Sequence, residues 1–133
     1  MKPQNCLQEP SGVLIVYKHA GVTSHDIVNK IRRLYGTRRV GHTGTLDPMA
    51  TGVLVVLIGR AAKASEYLVS DSKRYRATLR LGLTTDTEDI SGSVLTTCQS
   101  LPSFAMLEAL LPQFRGKIQQ IPPMYSALKV NGQ

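Results

Sequence analysis

From Gly12 to Lys18 the chain reads GVLIVYK, a β-rich apolar run with no polar alternation, which predicts a buried strand. The next segment changes period. In TSHDIVNKIRRLYG, Ile27, Ile31, Leu34 and Tyr35 recur every three to four residues and Val28 widens the stripe, so an amphipathic helix is expected. Thr23 or Ser24 is placed to cap it, Asp26 suits its electropositive first turn, and Gly36 ends it. Lys30, Arg32 and Arg33 fall on the opposite face. After a loop from Thr37 to Thr51, GVLVVLIG is apolar at every position between its glycines and predicts a second central strand. RAAKASEYLV predicts a short helix. KRYRATLRLGL then alternates. Lys73, Tyr75, Ala77, Leu79 and Leu81 share one face, and Arg74, Arg76, Thr78 and Arg80 the other, the pattern of a half-exposed antiparallel strand.

Further on, TTDTEDISG is an acidic loop and SVLTT another strand. PSFAMLEALLPQF predicts a helix capped by Ser103 with Pro112 near its end, and GKIQQIPPMYSALKV a strand, a Pro-Pro turn and a strand. The resulting class is α/β in the broad sense (α+β): a mixed, largely antiparallel sheet with helices packed on it. Asn131-Gly132 is a strong hairpin signal, but the sequence stops at Gln133. A turn without its second strand leads to the expectation of a piece of a longer protein; a frayed tail is the alternative.

Length and charge narrow the picture. At 133 residues the chain suits one domain. Residues 1–11 read as a polar tail, and residues 12–133 as the folded part. The tail has no apolar signal-peptide centre, and no apolar run approaches the ~20 residues of a membrane span, so a cytoplasmic protein is expected. A net charge of +7 draws such a domain to polyanions, nucleic acid first. The charge is clustered: Lys30, Arg32, Arg33, Arg38 and Arg39 form one group, and Lys73, Arg74, Arg76 and Arg80 another. Cys6 and Cys98 are far apart, and His19, His25 and His42 lack metal-ligand spacing, so neither a metal site nor a disulfide framework is expected.

Three residues stand out for chemistry. Asp47 is the one acid in GHTGTLDPMATGVL, and Pro48 pushes its backbone away from helix. It is either a turn-stabilising aspartate that accepts backbone hydrogen bonds, or a reactive carboxylate on a loop where Gly41, Gly44 and Gly52 allow close backbone approach. His42 is either a surface imidazole or a platform for a nucleotide base. Tyr75 is either a core-rim tyrosine or a stacking surface with Lys73, Arg74 and Arg76 nearby for phosphate. The Walker A, GxGxxG and GxSxG patterns are all missing, so nothing points to a nucleotide cofactor or a serine hydrolase.

GHTGTLDPMATGVL closely resembles the signature loop of the TruB-type tRNA pseudouridine-55 synthases. GVLIVYKHAGVTSHD, DSKRYRATLRLGLTTDTEDISG and IPPMYSALKVNGQ resemble further motifs of that family, in the same order and spacing. The resemblance implies an isomerase that converts a T-loop uridine of tRNA to pseudouridine without metal or organic cofactor. It implies that Asp47 is the catalytic aspartate, that Tyr75 stacks on the target base, and that His42 enters the T-loop as the base flips. It further places Asp89 near the RNA loop and Lys129 in a segment lining the site, and Lys18 and Arg39 are assigned to RNA binding. Tyr17 and His19 stand where the family usually has Asp and Pro, which removes a proline-stiffened turn. The family's later half, with a further tyrosine and a basic residue that pairs with the aspartate, has no counterpart here. The expectation is therefore the N-terminal portion of a pseudouridine synthase catalytic domain, inactive alone. The alternatives are a non-catalytic RNA-binding module, or a half-domain that pairs its open sheet edge with another copy.

Overall fold

The structure, a computed structural model, describes residues 9–68 and 72–121. They fall into two compact units divided between Tyr75 and Arg76. The class is α+β with antiparallel strand pairing.

In the first unit, β1 (Gly12–Lys18) leads through a turn to α1 (Ser24–Tyr35), followed by β2 (Val40–His42), β3 (Gly52–Ile58) and a 3-10 helix (Gly59–Tyr67). The sheet order is β1-β3-β2, so β3 is paired on both edges. Lys18 lies opposite Gly52 and Gly12 opposite Ile58, while His42 pairs with Val56. A capping box starts α1: the Thr23 hydroxyl accepts from the Asp26 amide at 3.0 Å, and the Asp26 carboxylate accepts from the Thr23 amide at 2.8 Å. That donor set holds the Asp26 pKa below the ordinary aspartate value, the Thr23 hydroxyl being the largest cause and its amide the next. Gly36 ends the helix in the left-handed conformation, and Arg32 donates to the Val40 carbonyl at 3.2 Å, tying α1 to β2.

One face of the sheet is covered. Ile27, Val28 and Ile31 of α1 pack on Val40, Leu54, Val56 and Ile58, with Leu14, Val16 and Val22 at the margin. Val13, Ile15, Tyr17 and Val53 point the other way and are exposed, while Leu57 on that same face is fully buried, so the two long strands are buried on both faces only at the Leu57 end of β3 and not throughout as their composition predicts. Leu34 and Tyr35, expected in the helix stripe, are exposed as well. Among the described residues the sheet is three strands wide, and the first two turns of α1 already cover its helix-facing side.

The second unit holds β4 (Leu83–Thr85) paired with β5 (Val94–Thr97) across a bulge at Thr84/Thr85. α2 (Phe104–Leu110) is capped by Ser103, whose hydroxyl accepts from the Met106 amide at 3.3 Å, and a 3-10 turn (Leu111–Phe114) containing Pro112 follows. The alternating stretch from Lys73 to Leu81 does not form the expected strand, and neither do residues 116–121. Alternation defines two faces but supplies no neighbour, and among the described residues no strand pairs with either stretch. The Pro-Pro turn, the strand after it, Lys129 and Asn131-Gly132 lie outside the described residues. Among the described residues no helix is long and apolar enough to cross a membrane.

Candidate active site

The loop between β2 and β3 is held along its length. The Thr43 amide donates to the Val55 carbonyl at 3.1 Å and extends the hairpin ladder beyond His42. The Leu46 amide donates to the Ser24 hydroxyl at 2.9 Å, and that hydroxyl donates to the Leu46 carbonyl at 3.1 Å. The Asp47 carbonyl accepts from the Ala50 amide at 3.0 Å and closes a turn. The Pro48 carbonyl accepts from the Gly21 amide at 2.9 Å. Gly52 leaves the loop with φ of 147°, a conformation L side chains rarely adopt. Gly41 and Gly44 are not needed for close approach, since a Cβ at either would meet nothing within 4 Å.

Asp47 itself is exposed, and its carboxylate makes no hydrogen bond or ion pair among the described residues. The other described aspartates all bond to their own backbone surroundings. Asp26 caps α1; Asp86 accepts from the Ser93 amide at 2.8 Å; Asp89 accepts from the Ser91 amide at 2.8 Å and the Thr87 hydroxyl at 2.7 Å. Of the two readings left open by the sequence, the turn-stabilising one needs side-chain bonds that Asp47 does not make. The carboxylate is presented to solvent on an anchored loop.

Beside this loop lies a cavity of about 500 Å³. Thr43 to Leu46 and Thr51 to Val55 form part of its lining, and Ser72, Lys73, Arg74 and Tyr75 another part. Tyr75 is mostly exposed, so its ring is open to a ligand, with two cations next to it in the chain. Asp47 follows the lining residue Leu46 and is not itself a wall residue. Tyr75 and residues of the aspartate loop thus line one cavity.

The remaining expected site residues are placed differently. His42 lies on the same sheet face as Val40 and Val56, and its Nδ1 is buried with no hydrogen-bond partner among the described residues. Arg39 forms an ion pair with Glu9 at 3.2 Å. Asp89 belongs to the second unit, where Ser91 and Thr87 hydroxyls, then the Ser91 amide, hold its pKa below the ordinary aspartate value. Lys18 is a correction. It is fully buried, 0% exposed, and its Nζ donates to the carbonyls of Val22 at 2.7 Å, His19 at 3.1 Å and Pro48 at 3.2 Å. An ammonium has three donors, and all three are engaged inside the protein, so none reaches a phosphate. Ser24 and Gly21 carry no signal in the sequence beyond helix capping and turn formation, yet both bind the aspartate loop. Among the described residues no group of three or more His, Cys, Asp or Glu could hold a metal ion.

Comparison with protein families gives a match to the TruB family pseudouridylate synthase (N terminal domain) over residues 32–133, a range that contains the aspartate loop. The chain belongs to this family. Named relatives agree with the TruB family assignment. The tRNA pseudouridine synthase B of Caldanaerobacter subterraneus subsp. tengcongensis is 53% identical over 123 residues, covering 91% of this chain and 43% of that protein. The enzyme of the same name from Staphylococcus saprophyticus is 48% identical over 125 residues, 92% of this chain and 41% of its own length. That of Gluconacetobacter diazotrophicus is 48% identical over 122 residues, with 92% and 40% covered. The chain therefore spans about two fifths of the length of the curated TruB relatives it matches.

Proposed function

We propose that this chain supplies the aspartate-bearing part of a cytoplasmic enzyme that isomerises a uridine in the T-loop of tRNA to pseudouridine. Asp47 is the catalytic carboxylate. The observation that carries this reading is an exposed carboxylate, without a side-chain bond among the described residues, on a loop pinned at the residues before and after it. In the reaction the C1′–N1 bond breaks, the base rotates, C5 bonds to C1′, the C5 proton goes to solvent and N1 takes up a proton. Attack by Asp47 on the sugar or the base, or abstraction of a sugar proton, would each require a carboxylate at the target. A folded RNA loop hides the reacting atoms, so the uridine must leave its stack. The Tyr75 ring, at the cavity, is the surface on which the extruded base stacks; Lys73 and Arg74 take the flanking phosphates. His42 enters the space the base has left. The T-stem and T-loop form the RNA partner, and the chemistry needs no metal or organic cofactor.

Tritium release from tRNA carrying [5-³H]uridine measures the C5–H exchange directly. The chain is assayed alone and extended by the C-terminal part of the Caldanaerobacter relative. The extended chain should release tritium, and Asp47→Asn should abolish release while leaving tRNA affinity unchanged. The same assay tests the sequence-based expectation that the 133-residue chain alone does not turn over. An extended chain that binds tRNA but releases nothing, while the intact relative is active, overturns the proposal in favour of a non-catalytic RNA-binding module.

A further inference from the structure

On the sheet face turned away from α1, three pairs of side chains meet across β1 and β3: Val13 with Leu57, Ile15 with Val55, and Tyr17 with Val53. Cover falls away along this row. Leu57 is fully buried and Val13 half exposed, whereas Tyr17 is 69% and Val53 66% exposed. The open end is also the polar end. Val53 and Val55 line the cavity beside the aspartate loop, together with Thr43, Lys73, Arg74 and Tyr75. Directly opposed residues of an antiparallel pair hold their Cβ atoms about 5 Å apart on one face. The Tyr17 ring therefore stands at the rim of the cavity whose wall includes Tyr75, on a strand paired along its whole length.

RNA loops are recognised by aromatic rings that stack on splayed-out bases, with cations along the backbone. Extrusion of one base also leaves its neighbour without a stacking partner. A protein partner seated at this end would have to cover Lys73 and Arg74, and charged residues are depleted from the cores of protein interfaces. The charge therefore favours a nucleotide. We propose that Tyr17 is a second stacking platform for RNA, taking the unpaired base next to the target uridine. The inference rests on the proposed stacking of that uridine on Tyr75, and it concerns a position where this chain departs from the usual family residue. Tyrosine suits the task because its large ring has few rotatable bonds to freeze. The contact carries no charge, so it adds affinity without adding salt dependence.

The test uses the chain extended by the C-terminal part of the Caldanaerobacter relative, and a T-arm RNA hairpin. Tyr17→Thr keeps strand propensity and removes the ring, so it should weaken hairpin binding by ~10-fold and leave the salt slope unchanged. Tyr17→Phe keeps the ring and should bind like the parent. Val13→Thr, at the far end of the same face, should bind like the parent too. With 2-aminopurine placed on either side of the target uridine in turn, binding should quench one of the two probes, and Tyr17→Thr should relieve that quenching. Unchanged affinity or unchanged quenching in Tyr17→Thr overturns the proposal, as does an equal loss of binding in Tyr17→Phe or Val13→Thr. A lower urea midpoint in Tyr17→Thr, in the extended chain alone or in the 133-residue chain as well, also overturns it, because the ring is then packed against protein. If the extended chain binds the hairpin through Tyr17 but releases no tritium, the proposed function fails and the platform stands. An extended chain that does not bind the hairpin overturns both.

Discussion

Val53 and Leu54 are adjacent on β3 and face opposite ways: Leu54 is 1% exposed and Val53 66%. Leu54→Ala removes three carbons from the cluster built on Ile27, Val28 and Ile31. At ~0.8 kcal/mol per buried methylene the transfer loss is about 2 kcal/mol, and the cavity left behind raises the cost to roughly 3 kcal/mol. A unit ending at Tyr75 has a total stability of roughly 4–11 kcal/mol at ~0.05–0.15 kcal/mol per residue, so the change takes a large share of it. Val53→Thr keeps the β-branched shape and places its hydroxyl in water, so it should stay within ~0.5 kcal/mol of the parent. Urea unfolding followed by far-UV circular dichroism separates the two. With a slope of ~1 kcal/mol per molar urea, Leu54→Ala should move the midpoint by roughly 3 M or leave no folded baseline, and Val53→Thr should leave it in place. Equal losses would refute the assignment of Leu54 to the face covered by α1 and of Val53 to an open position. The consequence reaches the candidate site, because β3 begins where the aspartate loop ends.

Gly59 has φ of 61°, and a Cβ there would overlap the Pro10 carbonyl oxygen; Gly59→Ala should cost at least about 1–2 kcal/mol, and an unchanged urea midpoint would contradict that backbone. Asp89 should titrate below the ordinary aspartate range by carboxyl NMR. Its folded-state pKa lies below its unfolded one, so its contribution is complete above the unfolded value and is lost as pH falls through the folded value; Asp89→Asn should remove that acid-side dependence. A titration at or above the ordinary value would refute the turn geometry. Lys73→Ala and Arg74→Ala should each reduce the salt slope of tRNA binding by about 1, and an unchanged slope would remove those cations from the phosphate path.

The elements with strong local signals were legible in the sequence. Val13 to Val16 announce a strand, and the Thr23–Asp26 capping box and Gly36 bound α1. RAAKASEYLV was expected to be a short helix, and the structure winds Gly59–Tyr67 as a 3-10 helix. The alternating arginines after Lys73 misled because alternation describes a strand's faces, while pairing depends on a neighbour elsewhere in the chain. For the candidate site, the Asp47 loop and Tyr75 were legible through a long motif and through an aromatic set among cations. Lys18 was not. It was assigned to RNA binding, and only the fold shows three carbonyls converging on its Nζ. Ser24 was visible as a helix-start residue but not as the partner of Leu46, since that contact joins positions 22 residues apart.

The double pairing of β3 also governs which insertions and deletions this molecule tolerates. A residue removed between His42 and Gly52 cannot be absorbed by sliding β3. A one-step slip would turn Val53 and Val55 toward α1, expose Leu54 and Val56, and break register with β1 and β2 at once. The length of the aspartate loop is thus dictated by the packing of the strand that follows it. The turn between β4 and β5 is joined to a short ladder that already accommodates a bulge, so length variation is far cheaper there.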